Sequence, residues 1–591
     1  MSQKFENMLN LALETSEQVR AKTGNLNIGF EPVGDTWEVI VKYHGEISFL
    51  KEYEIGVEEL IAGYALLVVP AALMESLAEI EQIEYVEMPK RYFFEAELPG
   101  ENTCVYPIAL GVEGLTGLDN IVVVIDSGID YRRPEFLNRD GSTRILYLWD
   151  QTLEAQGEQG PPEGFRIGVE FTAEQINRAL VAEATESFRL VPSRDVSGHG
   201  TAVAGIAAGS LVNTADGGIY QGIASESDLI IVKLGTPKEN GFPKTTELMR
   251  AVTYAVRKGI ELVKPVVVNL SFGNTYGSHD GSSLVERFLD NASEIGRTVI
   301  CVGAGNEGDS SGHFAGYVET ARMVELSVGE YERSLSIQLW KQYSDEFQIS
   351  LRAPDNTVVA LPNRVNAGKL EITIAQTRVL IYLGEPKPYS VLQEIYFDLI
   401  PLGERNYIDA GLWQIELKPM KVVTGKYDLY LPASEARSSR TGFLRSTPEM
   451  TLTIPSTSSK IVTVGAYDTS YEQYASFSGR GLAQVSRENS ITIAGLIKPD
   501  IVAPGVDIIA PDVSGGYRTV TGTSFATPIV SGSAALLMEW GIGRGNDRYL
   551  YGEKVKAYLR AGAQPLRGEN VYPNERVGFG KLCVTESLPG M

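Results

Sequence analysis

Along the 591 residues the hydrophobic pattern changes character three times. The first 95 residues mix two periods. Residues 5–22 repeat apolar positions at helical spacing, 37–43 alternate as a strand, and 64–69 and 83–87 read as two more strands. Residues 70–80 predict a helix with proline in its first turn. These elements predict a separate α+β unit. After residue 96 unbroken apolar runs take over, each ended by a polar or glycine residue: 121–125 before Asp126, 266–268 before Asn269, 299–302 before Gly303. Apolar runs without alternation are strands buried on both faces, as in a parallel sheet between helix layers. Residues 314–454 alternate instead, in segments such as 334–340, 347–351, 370–374, 412–417 and 427–431. That spacing, with turn residues between, predicts an inserted β-sandwich of jelly-roll type. The buried strand-and-helix pattern resumes at 455. The boundaries are therefore 1–95, 96–313, 314–454 and 455–591.

Three of the core segments carry groups that make one chemistry together. Gly522-Thr523-Ser524-Phe525-Ala526-Thr527-Pro528 sets an exposed-looking serine between a glycine turn and a helix start. A serine hydroxyl is a nucleophile only when a base takes its proton. His199, one of four histidines in the chain, lies in Ser197-Gly198-His199-Gly200-Thr201, ahead of a small-residue helix. Asp126 ends the strand 121–125, where open α/β sheets carry their functional groups. Taken singly, an aspartate at a strand end caps a turn and a Thr-Ser pair caps a helix.

Taken together, in the order Asp, His, Ser, these segments resemble the subtilisin family of serine proteases, the subtilases. The resemblance implies a subtilisin-like, doubly wound parallel sheet. It implies that Ser524 attacks the scissile carbonyl, His199 takes and returns its proton, and Asp126 orients the imidazole. Asn306, in Gly303-Ala304-Gly305-Asn306, and the Ser524 N–H would form the oxyanion hole. Ser271-Phe272-Gly273 would pair with extended substrate, and Gly303-Ala304-Gly305 would wall the pocket opposite. Residues 1–95 would be a prodomain, an intramolecular chaperone and inhibitor whose tail plugs the cleft, with self-cleavage between Phe94 and Gly100. A prodomain combined with an insertion between Asn306 and Ser524 is similar to the germination-associated Csp proteases of clostridial spores. There the cleaved prodomain stays bound and the substrate is the zymogen of a cortex-degrading hydrolase. A second class of function is a protease-fold scaffold or sensor with a permanently blocked cleft. The intact Asp126, His199, Ser524 and Asn306 favour the enzyme.

Composition narrows the picture further. A formal charge of −23 leaves no basic surplus for nucleic acid, so the expected partner is a protein substrate. Cys104, Cys301 and Cys583 are odd in number and far apart, which is no disulfide framework. The first ten residues lack the apolar core of a secretory signal, and the longest apolar stretch, 60–74, is broken by Pro70. The expectation is cytoplasmic synthesis without a membrane span, and the Csp resemblance implies packaging in the spore. Calcium stabilises many subtilases, and the matching loop offers Asn213 and Asp216. Glu135 stands where the family often has aspartate. No metal or cofactor is assigned.

Overall fold

The computed structural model describes residues 2–94, 114–157, 159–214, 217–236, 243–362, 368–482 and 497–589. It divides into two compact units: 1–91 with 274–284 and 307–454, and 92–273 with 285–306 and 455–591.

The second unit is built on a parallel sheet. Val462–Asp468, Thr298–Gly303, Val266–Leu270, Ile121–Asp126, Asp228–Lys233 and Ile145–Asp150 lie side by side in that order, and Val169–Thr172 adds an antiparallel edge. All six residues of Ile121–Asp126 are buried, as a run without alternation requires. Val122 and Val124 join one apolar core with helices His199–Ala208 and Thr523–Met538. The stretch Thr523–Gly543 is long and apolar enough to cross a membrane by composition, yet 94% of its apolar window is buried in the molecule.

In the first unit, strand Thr36–Tyr43 pairs with both Tyr64–Pro70 and Ile83–Glu87. The helix expected over 70–80 is instead two 3₁₀ turns, Ala71–Leu73 and Glu75–Glu79. Strand pairing claims Pro70, which lies opposite Thr36, and Ile80 is already extended. The nine residues between need only bury Met74 and Leu77. Residues 313–443 form two antiparallel sheets of six and five strands around one apolar core.

The N-terminal residues do not close their core alone. Phe5, Met8, Leu9, Leu11 and Ala12 share a core with Leu380, Tyr382, Tyr396 and Ile400 of the six-stranded sheet. Along Leu392–Pro401, Ile395, Phe397 and Leu399 point into the sandwich, while Tyr396 and Ile400 point into the N-terminal core. By the same period of two, Asp398 lies on the covered face. It is 1% exposed, and among the described residues neither carboxylate oxygen has a hydrogen-bond partner.

Burial alone pushes the Asp398 carboxyl up to about 8. A folded-state value above the unfolded one means that folding must hold this proton. The cost is absent below pH 4, grows as pH climbs from 4 to 8, and is constant above. Asp398→Asn is therefore expected to stabilise the first unit by a few kcal/mol above pH 8 and by almost nothing at pH 4. Denaturant unfolding of both forms across that range checks this; a difference independent of pH would refute it.

Candidate active site

The site grows from the C-terminal ends of buried strands and the first turns of two helices. Asp126 is the last residue of its strand and fully buried. His199 opens the helix His199–Ala208, and its Nδ1 lies 2.7 Å from Asp126 Oδ1. Both flanking glycines are needed. Gly198 adopts φ +75°, which lets the chain turn into the helix, and a Cβ on Gly200 would lie 2.2 Å from the Gly128 carbonyl oxygen. That close approach brings the histidine up against the aspartate.

A residue that the sequence reading passed over holds this helix start in place. Asp195 Oδ1 accepts from the Gly198 N–H (2.9 Å), and its Oδ2 accepts from the Thr201 N–H and hydroxyl (2.8 Å each). Carboxylate bonds at a helix N-terminus satisfy orphan donors and suit the helix dipole. Asp195 also accepts from Ser127 Oγ (2.8 Å), tying the His199 turn to the residue after Asp126. An aspartate four residues before the histidine of Gly-His-Gly was the available signal.

Ser524 is the second residue of helix Thr523–Met538. It is fully buried, which corrects the expectation of an exposed turn: the helix runs through the core and its first turn is covered with the rest. The Ser524 hydroxyl donates to the Ser271 carbonyl (2.9 Å), and the Ser271 hydroxyl donates to the Ser524 carbonyl (2.9 Å). Asn269 Nδ2 donates to Ser271 Oγ (2.9 Å), and Asn269 Oδ1 accepts from the Ser531 hydroxyl (2.8 Å). Phe525, the next residue, packs its ring 5.3 Å from that of His199, so the helix start and the imidazole are neighbours.

Asn306 is oriented by the same helix. Its Oδ1 accepts from the Thr523 N–H (3.0 Å) and the Thr523 hydroxyl (3.1 Å). A carbonyl oxygen fixed by a backbone N–H leaves the amide Nδ2 directed away from Thr523, free to donate elsewhere. Gly303, Ala304 and Gly305 precede it, with the Ala304 N–H on the Val464 carbonyl and the Gly305 carbonyl on the Gly479 N–H. Phe272 and Gly273 are buried and pair with Phe93–Phe94. All the expected site residues thus fall in one unit. The expected self-cleavage tail, 95–100, lies outside the described residues.

Glu135, which stands where the family often has aspartate, is taken up by protein donors. Arg133 bonds both Glu135 oxygens (3.0 and 2.7 Å), and the Tyr517 hydroxyl adds a third donor (2.6 Å). The Arg144 guanidinium occupies the Ala208, Ala224 and Ser227 carbonyls nearby. Asp216 lies outside the described residues. Among the described residues no group of three or more His, Cys, Asp or Glu is arranged to hold a metal. Cys301 is a core residue whose thiol burial pushes up to about 12, too high for a reactive thiolate.

Sequence families agree with this geometry. The model of the subtilase family matches residues 117–377 and 444–580, and that of the Csp protease B prodomain matches residues 3–90. The chain belongs to the subtilase family of serine proteases, with an N-terminal Csp-type prodomain. Among solved structures it is similar to the Clostridium perfringens CspB protease, at TM-score 0.72 and 33% identity over 82% of this chain and 95% of that one. It also resembles the minor extracellular protease Vpr of Bacillus subtilis, 23% identical over 80% of this chain. The serine protease AprX of the same organism is 34% identical over 24% of this chain. The chain spans 52% of Vpr and 32% of AprX.

Proposed function

We propose that this protein is a serine endopeptidase that cuts its own prodomain and then protein substrates. The observation that carries the reading is the 2.7 Å contact between His199 and Asp126 at one helix start, with Ser524 at the next. Ser524 leaves the Ser271 carbonyl, gives its proton to His199 and attacks the substrate carbonyl. Asp126, accepting from His199 Nδ1, holds the other ring nitrogen toward the serine and stabilises the imidazolium. Asn306 Nδ2 and the Ser524 N–H take the charge that develops on oxygen.

The prodomain reading has its own support. Residues 1–91 share a core with the inserted sheets, which would keep the prodomain in place once cut. Pairing of Phe93–Phe94 along Phe272–Gly273 is what an occupied cleft requires, and it also suits the scaffold alternative. The finer role, activation of a spore-cortex hydrolase zymogen by a protein packaged in the spore, rests on the prodomain match and the likeness to CspB. Adding the purified zymogen to the processed protein tests it.

The test of the main reading is intact mass of the purified wild type. Two fragments separating near the prodomain boundary are expected. One uncut chain would overturn the endopeptidase and bring the blocked-cleft scaffold forward.

A further inference from the structure

The six-stranded sheet carries, on the face turned away from the sandwich core, a polar recess that the protease chemistry does not use. Along Leu335–Gln342, Ile337 and Leu339 enter the sandwich core, so Gln338 and Trp340 point to the opposite face. Trp340 lies opposite Glu394 on the neighbouring strand, and Glu6 and Asn7 line the same recess. Its volume is about 10 Å³, room for one water-sized group. It shares Asn7, Tyr85, Glu385 and Lys387 with a cavity of about 370 Å³, which Phe5, Tyr382 and Pro386 also wall. That volume is in the range of small-molecule sites.

The recess asks for a ligand with both signs of charge. Trp340 is 5% exposed, and among the described residues its indole N–H has no hydrogen-bond partner. An indole nitrogen only donates, so a buried one calls for an acceptor. The Lys387 ammonium, 5.4 Å from the centre of the Trp340 ring, adds positive charge on that side. The acidic side is made by Glu6, Glu87 and Glu394, all buried. Lys90 lies 2.7 Å from Glu6 and 3.4 Å from Glu87, one ammonium for the pair. Glu394 accepts from the Asn7 and Gln338 amides, which are neutral. Burial pushes the Glu6 carboxyl up to about 7 in spite of Lys90, the mark of a cluster short of positive charge.

We propose that the recess and the cavity together bind a free α-amino acid with an apolar side chain. Its ammonium faces Glu394 and Glu6, and its carboxylate accepts from Trp340 Nε1 and Lys387. Its side chain lies in the larger cavity, among Phe5, Tyr85 and Tyr382. Both charges are then paired, which an amine or an acid alone does not achieve. The walls come from the prodomain and from the inserted sheets alike, so the ligand ties one to the other.

Calorimetric titration of the purified full chain tests the site, with L-phenylalanine as the probe. One molecule is expected to bind per chain and to raise the melting temperature. Phenethylamine lacks the carboxylate and 3-phenylpropionate lacks the ammonium; each is expected to bind more weakly by about tenfold or more. Trp340→Phe keeps a ring and removes the donor, while Glu394→Gln keeps the shape and removes the charge. Each is expected to weaken L-phenylalanine by about tenfold or more, with a thermal melt showing that the variant folds. The three ligands on the wild type decide the matter even where a variant fails to fold. Neither heat nor a melting shift from L-phenylalanine at about 10 mM would overturn the site and leave the recess to water. A truncated ligand that binds as tightly as L-phenylalanine would overturn the amino acid, and so would an unchanged affinity in Trp340→Phe.

Discussion

Ser524→Ala is expected to purify as one uncut chain while the wild type separates into two. Removing the nucleophile of a subtilisin costs about a millionfold in turnover, and the residual acceleration from binding and the oxyanion hole is about 10³–10⁴ over water. A peptide bond that breaks in cis during expression should then persist through purification. The variant should also keep its fold. Among the described residues Ser524 Oγ makes one hydrogen bond, to the Ser271 carbonyl, and the reverse bond from Ser271 to the Ser524 carbonyl survives the change. Losing one buried hydrogen bond costs on the order of 1 kcal/mol, which would move a melting temperature by a few degrees. Intact mass and a thermal melt on the same samples separate the two effects. Fragments from Ser524→Ala would show that another group, or a contaminating protease, makes the cut.

How much of this was legible in the sequence depends on how local the cause is. Asp126, His199, Ser524 and Asn306 were readable because each sits at the end of a continuous apolar strand or the start of a small-residue helix. Such patterns need only neighbouring residues to form. Asp195 escaped because two of its donors, the Gly198 and Thr201 amides, are backbone groups, and a third, the Ser127 hydroxyl, lies 68 positions away. The pairing of Asn269 with Ser531 escaped because it joins residues 262 positions apart. The strand Leu392–Pro401 shows why the sandwich was read only in part. Its residues do not alternate in polarity, because the sandwich core covers one face and the N-terminal residues cover the other. A strand buried on both sides looks like a parallel-sheet strand, and only the fold reveals what lies on its outer face. The same hidden contact accounts for Asp398, a charge-bearing residue whose burial no local pattern announces.

Asn306→Ala is expected to lower the rate of self-processing by about 10²–10³, the scale set by removing this donor from a subtilisin. Asn306 Oδ1 is occupied by the Thr523 N–H and hydroxyl, so the side chain cannot flip, and its Nδ2 is the donor left for the substrate oxygen. That bond strengthens only as charge builds on the oxygen, so its loss should fall on kcat and leave KM nearly unchanged. Alanine also strips Thr523 of its acceptor at a buried helix start, a cost of about 1–3 kcal/mol in stability. Asn306→Asp separates the two effects. Its carboxylate can still accept from Thr523 and hold the helix start, yet it offers no donor to the oxyanion and adds a like charge beside it. The melting temperature should therefore recover in Asn306→Asp while the rate stays at least as low as in Asn306→Ala. Stopped samples followed by mass give the first-order rate constant for processing, and a peptide ester gives kcat and KM on the processed enzyme. A drop confined to KM in both variants would mean that Asn306 only grips the substrate. A rate that recovers together with the melting temperature in Asn306→Asp would mean that its role ends at Thr523.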